Sequence, residues 1–226
     1  MKYLKTIVCF SNSRKMAGRC IAGKEWRGGK PGAWVRPVST RPTHEVSERE
    51  RLYKDGYDPQ PLDIIEIPCE RYHPLSHQFE NHAIDPHYYW QRAGRLAWQD
   101  IRRWLDHPYT LWRLGEESYA GFNNRVSVGW EDGTSLYLIA VTRLRLLVGH
   151  KSPYADSRRA VRGEFIYNST AYRLDITDPV IERNYLTKAD GQYDILHPVL
   201  CVSLGDAFQG HFYKLIAAVL YAERCE

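Results

Sequence analysis

Short apolar runs bracketed by glycine and proline fill most of this chain, and one stretch alone carries a helical period. Residues 3–10 (Tyr3-Leu4-Lys5-Thr6-Ile7-Val8-Cys9-Phe10) alternate loosely and predict a first strand. Arg19-Cys20-Ile21-Ala22, bracketed by Gly18 and Gly23, predicts a second. Lys24 to Gly32 reads as a glycine-rich loop, and Trp34-Val35-Arg36-Pro37-Val38 as a third strand. Pro37 places that strand at a sheet edge or at its own end, because proline donates no ladder hydrogen bond. Thr43 followed by 44–50 predicts a capped helix with acids in its first turn, and Leu62-Asp63-Ile64-Ile65-Glu66-Ile67-Pro68 predicts another strand.

From Tyr89 onward, Trp90, Ala93, Ala97, Ile101, Trp104 and Leu105 recur at three and four residues. This spacing predicts a helix over 89–105 that ends near His107-Pro108. Leu136 to Val148 predicts one long strand. Glu164–Tyr167 and Tyr172–Ile176 predict a hairpin across residues 168–171, and Val199–Leu204 a further strand. Gly, Asn, Asp and Ser cluster between Gly115 and Gly133, where the periodicity fades. The expected organisation is therefore residues 1–115 and 134–226 as two units joined by 116–133, each a small β barrel with some helix.

With 226 residues and 43% hydrophobic content, the chain can bury a sizeable core. The first ten residues hold no hydrophobic run followed by a small-residue cleavage site, and no window approaches the length of a membrane helix; Leu136–Val148 comes nearest and contains Arg143 and Arg145. Cys9, Cys20, Cys69, Cys201 and Cys225 are odd in number, scattered and never in a C-x-x-C pair. A cytoplasmic protein with reduced thiols, no membrane partner and no thiolate metal site is expected.

Charge changes the picture more than composition does. Between Ser11 and Ser39 stand Arg14, Lys15, Arg19, Lys24, Arg27, Lys30 and Arg36 against the single acid Glu25, a local balance of +6 in a chain whose total is +4. Cations mixed with glycines and hydroxyls suit a phosphate chain, since guanidinium forks and backbone N–H groups both bond phosphate oxygens. Ser13, Arg14, Lys15, Arg19, Lys24, Arg27 and Arg36 are the candidate phosphate contacts, with Trp26 and Trp34 as candidate stacking residues for bases. Each has a plainer alternative: a solvated surface for the cations, a barrel interior for Trp34.

His73, His77, Glu80, His82, Asp85 and His87 crowd into fifteen residues. His77, Glu80 and Asp85 are the candidate acid–base group of an enzyme acting on nucleic acid or a nucleotide. No H-E-x-x-H pattern occurs, so neither a metal nor a cofactor is expected. Arg92, Arg95, Arg102 and Arg103 read as a solvated helix face. The phosphate-loop glycine patterns and the G-x-S-x-G elbow are missing, which argues against an ATPase, a dinucleotide oxidoreductase and a hydrolase of that kind.

Ser13-Arg14-Lys15 with Gly18-Arg19-Cys20, the segment Trp34–Ser39, His77-Gln78-x-Glu80-Asn81-x-x-Ile84-Asp85, and Val202–Gly205 through Phe212–Ala217 resemble motifs of a bacterial family of dual OB-containing domain proteins. The resemblance implies two OB-like barrels in a mainly β chain with some helix. Such barrels commonly hold nucleic acid on a strand face and adjoining loops. It thus implies DNA or RNA as partner, with an acid–base enzyme and a protein-interaction adaptor as the alternatives.

Overall fold

The computed structural model describes residues 2–75, 77–130, 132–151 and 158–226. Among the described residues about half are strand (53%) and few are helix (11%). Two compact units form, Met1–Leu105 with Ala222–Glu226, and Asp106–Tyr221. The division thus falls ten residues before position 115, and segment 116–133 belongs to the second unit, where Arg125–Ser127 pairs with His211–Leu220.

The first unit is built on β1 (Tyr3–Lys15), β2 (Gly18–Arg27), β3 (Lys30–Val38), β4 (Asp63–Tyr72) and β5 (Asn81–Ile84). Their order β1-β2-β3-β5-β4 closes because β1 also pairs with β4, and β3 and β5 run parallel. One strand makes both seams. Tyr3–Val8 pairs with β4 and Ile7–Lys15 with β2, so Ile7 and Val8 pair with both, and a bulge between Cys9 and Ser11 follows within the β2 pairing. Ile7, Cys9, Ile21, Val35, Ile65, Ile67 and Ile84 point inward and form the core. Gly28 and Gly29, both at positive φ, make a two-residue turn, so β2 runs through Lys24–Arg27 where a long loop was expected.

Two expected helices give way. The expected helix over 44–50 shrinks to one turn, α1 (Glu48–Arg51), capped by Ser47 and Glu50 rather than Thr43. The expected helix over 89–105 is instead β6 (Gln91–Arg95), an added strand on β4, followed by a 3₁₀ segment Trp98–Trp104. Ile101 and Trp104, three apart, are its buried positions, a spacing that fits three residues per turn as well as an α-helix. Gly94 lies opposite Ile64 in the strand, where ladder hydrogen bonds outweigh helix propensity.

The second unit contains β7 (Arg125–Ser127), β8 (Leu136–Ala140), β9 (Arg143–His150), β10 (Arg159–Tyr167), β11 (Thr170–Ile176), α2 (Pro179–Leu186), β12 (Gly191–Leu196), β13 (Val199–Phe208) and β14 (His211–Leu220). The last turn, α3 (Ala222–Cys225), returns to the first unit, where Arg95 Nη2 donates to the Cys225 carbonyl at 3.1 Å. The expected strand over 136–148 is broken at Val141-Thr142, yet its pairing does not slip. Leu196 lies opposite Arg143 and Val199 opposite Ala140, three residues on along one strand and three back along the other. The two halves therefore act as one bent stave against β12 and β13. With β9–β10, β10–β11, parallel β11–β14 and β14–β13, this repeats the strand order of the first barrel, with α2 between its third and fourth strands.

The β10–β11 hairpin turns on Asn168 and Ser169, both at positive φ. Inside the barrel Leu144, Leu146, Val161, Phe165, Tyr172, Leu174 and Ile216 pack together. Gly163 keeps that interior open, since a Cβ there would lie 2.5 Å from Ile216 Cδ1 and 2.8 Å from Leu144 Cδ1. A Gly163→Val change is expected to lower stability by about 1–3 kcal/mol through overpacking. Urea unfolding checks this, as a lowered midpoint at unchanged slope.

Candidate nucleic-acid interface

The outer face of β1, β2 and β3 alternates with the core. Where Val35 points inward, Trp34 and Arg36 point out, alongside Cys20 and Lys24 from the neighbouring strand. An OB-like barrel commonly offers this face to a ligand, with the loops joining its first to second and fourth to fifth strands beside it. Here much of the face is already occupied by the protein itself. Trp104 from the 3₁₀ segment stacks on Trp26, with centroids 5.8 Å apart and planes 5° from parallel, and tilts against Phe10 at 5.7 Å. Phe10 in turn meets Trp34 edge-on. The Lys24 ammonium donates to the Trp104 carbonyl at 2.6 Å and lies 5.2 Å over the Trp34 ring. Trp34 thus stands outside the barrel interior, packed among its own neighbours, and one face of Trp26 is taken.

The basic stretch divides accordingly. Arg36 is buried, donating through Nε to Glu80 Oε1 at 2.9 Å and through Nη1 to Cys20 Sγ at 3.0 Å. Burial pushes its pKa down, but Cys20 and Glu80 outweigh that and raise it above its ordinary value. Lys24 is buried as described, and Arg27 holds Glu25 through Nε at 3.2 Å and Nη2 at 2.7 Å. Ser13 is buried too, its hydroxyl donating to the Cys20 carbonyl at 3.2 Å. Ser13, Lys24 and Arg36 serve the fold, while the Arg27 side chain is two-thirds exposed at the other end of β2 from the hairpin.

Arg14, Lys15 and Arg19 sit together on the β1–β2 hairpin. Arg14 faces Arg19 across the ladder, and Lys15 faces Gly18 at the turn Met16-Ala17. Arg14 and Met16 are exposed, while Lys15 and Arg19 are half-buried. The hairpin is pinned from below: Arg19 exchanges two backbone hydrogen bonds with Val46, at 2.9 and 2.8 Å, and a Cβ on Gly18 would strike the Val46 carbonyl.

The proposed acid–base group does not converge. His77 and Glu80 lie in the β4–β5 loop and Asp85 just past the far end of the four-residue strand β5. At about 3.3 Å per residue that strand holds Glu80 and Asp85 well apart. Their carboxylates also hold different cations: Glu80 takes Arg36, and buried Asp85 takes Lys2 at 2.6 Å. Glu70, Asp85 and His87 bring ligand-capable atoms within 4.8 Å of one another, and the Lys2 ammonium already reaches that group, 4.0 Å from Glu70.

Two surfaces are not drawn together from the sequence, although Trp26, Arg27 and His82 are each singled out from it separately. At one mouth of the first barrel, Tyr3, Lys5, Glu25, Trp26, Arg27, Tyr72 and His82 line a concavity. In the second barrel, the outward positions of β9–β11 carry Arg143, Arg145, Glu164 and Ile166 beside Phe122. The Arg145–Asp194 and Arg173–Glu164 pairs offset one another's charges there, while Ile166 and Leu196 remain exposed. Both sets are assembled by strand register, so no short sequence window contains either.

Two five-strand barrels of one strand order, each with helix between the third and fourth strands, define a tandem OB-like protein. The chain belongs to the dual OB-containing domain family, whose sequence pattern matches residues 5–219. No curated protein and no solved structure matches it. No helix among the described residues is long and apolar enough to cross a membrane.

Glu80→Ala, which leaves the Arg36 guanidinium buried without its carboxylate, is expected to cost about 3–5 kcal/mol, and Glu80→Gln less; equilibrium unfolding measures both. His82 supplies a pH test, because burial first and Lys5 second lower its pKa from 6.5 to about 4. Below pH 6.5 the unfolded chain takes up this proton and the folded chain does not. Stability should therefore fall as pH drops from about 6.5 towards 4, by at most about 1.4 kcal/mol per unit. A His82→Gln variant should show a shallower slope over that window.

Proposed function

We propose that this protein binds nucleic acid, holding the phosphate backbone at the β1–β2 hairpin of its first barrel. One observation carries the reading: Arg14 and Arg19 lie side by side across the hairpin with Lys15 next to them. Two guanidiniums paired across the ladder, with Lys15 beside the turn, lie at a loop through which OB-like barrels commonly grip oligonucleotides and suit contact with one or two phosphates. Lys24 and Arg36 leave the footprint because their charge is met within the fold, and Arg27 because it stands at the other end of β2 from the hairpin. Base stacking on Trp34 leaves with them. The membership of the dual OB-containing domain family supports the ligand class. No cysteine forms a disulfide, which favours a reducing, cytoplasmic setting.

A second reading, a protein-interaction adaptor, has one observation behind it. The outer face of the second barrel exposes Ile166 and Leu196 between charges that largely offset one another, which suits a polypeptide better than a polyanion.

Fluorescence anisotropy with labelled single- and double-stranded DNA and RNA over a salt series tests the first reading. Affinity should fall steeply with salt, and Arg14→Ala with Lys15→Ala should weaken binding to every sequence alike. The pair should also reduce the slope of log affinity against log salt by about 1.4–1.8, one phosphate contact each. An unchanged slope in the double variant, or no binding at low salt to any of the four probes, refutes the hairpin site.

A further inference from the structure

We propose that the mouth of the first barrel is a nucleotide pocket, in which Tyr72 and its neighbouring rings take a planar base while Arg27 and Lys5 take the phosphate. The nucleic-acid reading supplies the class of ligand; the site is separate from the hairpin.

The first support is the lining. Tyr3, Trp26, Tyr72 and His82 surround the concavity together with Lys5, Glu25 and Arg27. His82 lies 5.3 Å from Tyr72 and 5.8 Å from Tyr3, ring centroid to centroid, and its Nδ1 is 2.6 Å from the Tyr3 hydroxyl. That bond fixes the imidazole ring in the wall. Tyr72 is 54% exposed, far more than a residue needed for packing. Aromatic walls around a polar opening fit a planar, polar heterocycle better than an aliphatic ligand.

The second support is charge. Lys5 and Arg27 both bond Glu25, so two cations share one carboxylate and a single positive charge is left over. Arg27 uses Nε and Nη2 on Glu25, and its side chain is two-thirds exposed. A guanidinium has five N–H donors, so the fork retains capacity for phosphate oxygens. Gly32 protects this arrangement: a Cβ there would lie 2.7 Å from both Arg27 Nε and Glu25 Cβ. His82 stays neutral at physiological pH, so the wall presents a hydrogen-bonding ring rather than another charge.

The third support is redundancy. Much of the outer face that an OB-like barrel would use for stacking is filled by Trp104. The barrel mouth keeps the exposed Tyr72 ring and the exposed Arg27 side chain together beside Lys5. Mouths of β barrels are a common place for small ligands.

Calorimetric titration of the full chain with AMP, CMP, GMP and UMP, each beside its nucleoside, and with inorganic phosphate alone, tests the pocket. At least one nucleotide should bind below about 1 mM, its nucleoside about tenfold more weakly, and phosphate alone more weakly still. Tyr72→Ala should weaken nucleotide and nucleoside together. Arg27→Ala should bring the nucleotide down to the level of its nucleoside. Both substituted mouth residues are more than half exposed, so the variants should fold. Failure of all four nucleotides to bind, phosphate binding as tightly as a nucleotide, or indifference to both mouth substitutions overturns the pocket. Hairpin-dependent binding of polynucleotides alone would sink the pocket and leave the proposed function standing. Mononucleotide binding without any polynucleotide binding would do the reverse.

Discussion

Barrel closure by a single bent stave is the constraint on which the rest of this molecule depends. In the first unit β1 pairs with β4 over its first half and with β2 over its second, and Ile7 and Val8 pair with both. A closed sheet has no free edges to satisfy, and its inward residues form one core from every strand. Without this double pairing, Ile7 and Cys9 would not meet Ile65, Ile67 and Ile84. The second unit reaches the same result differently. Its stave is interrupted at Val141-Thr142, and one unbroken register carries the pairing past the break.

Closure also decides where chemistry can sit. The barrel wall presents an outer face, a hairpin tip and a mouth, and these have been put to different uses in the first unit. The outer face is consumed internally: Trp104 on Trp26, Lys24 on the Trp104 carbonyl, and Arg36 on Glu80 and Cys20. Burying those two cations is tolerable only because carbonyl, carboxylate and thiol stand ready to receive them. The hairpin keeps its cations at a projecting turn, and the mouth keeps a partly exposed ring beside a shared carboxylate. The cations of the hairpin and the rings and cations of the mouth are therefore different side chains of one barrel.

Much of this was legible in the chain. The strand-rich pattern, the short runs bounded by glycine and the family resemblance all pointed to paired OB-like barrels, which the strand order bears out. Positions 89–105 misled because the buried Ile101 and Trp104, three apart, satisfy a period of three as well as one of 3.6. The pairing of Gln91–Arg95 with β4 is a long-range event that no local spacing records. Lys24–Gly32 misled because paired glycines mark a tight turn and a loose loop equally well. The basic cluster was real as composition and only partly real as a surface. Charge along a sequence says nothing about which cations meet a carboxylate or carbonyl once strands pair.

What the sequence by itself determined is the class of fold and the neighbourhood of charge, because alternation, turn glycines and local acid depletion are properties of adjacent residues. What only the tertiary structure decided is the assignment of each cation and ring. Arg36 went inward to Glu80, forty-four positions away, and Lys24 to a carbonyl eighty positions away. Tyr3, Trp26, Tyr72 and His82, far apart in the chain, became neighbours at one mouth. Those meetings follow from strand register, and register is set by the closing of the barrel, which no single segment encodes.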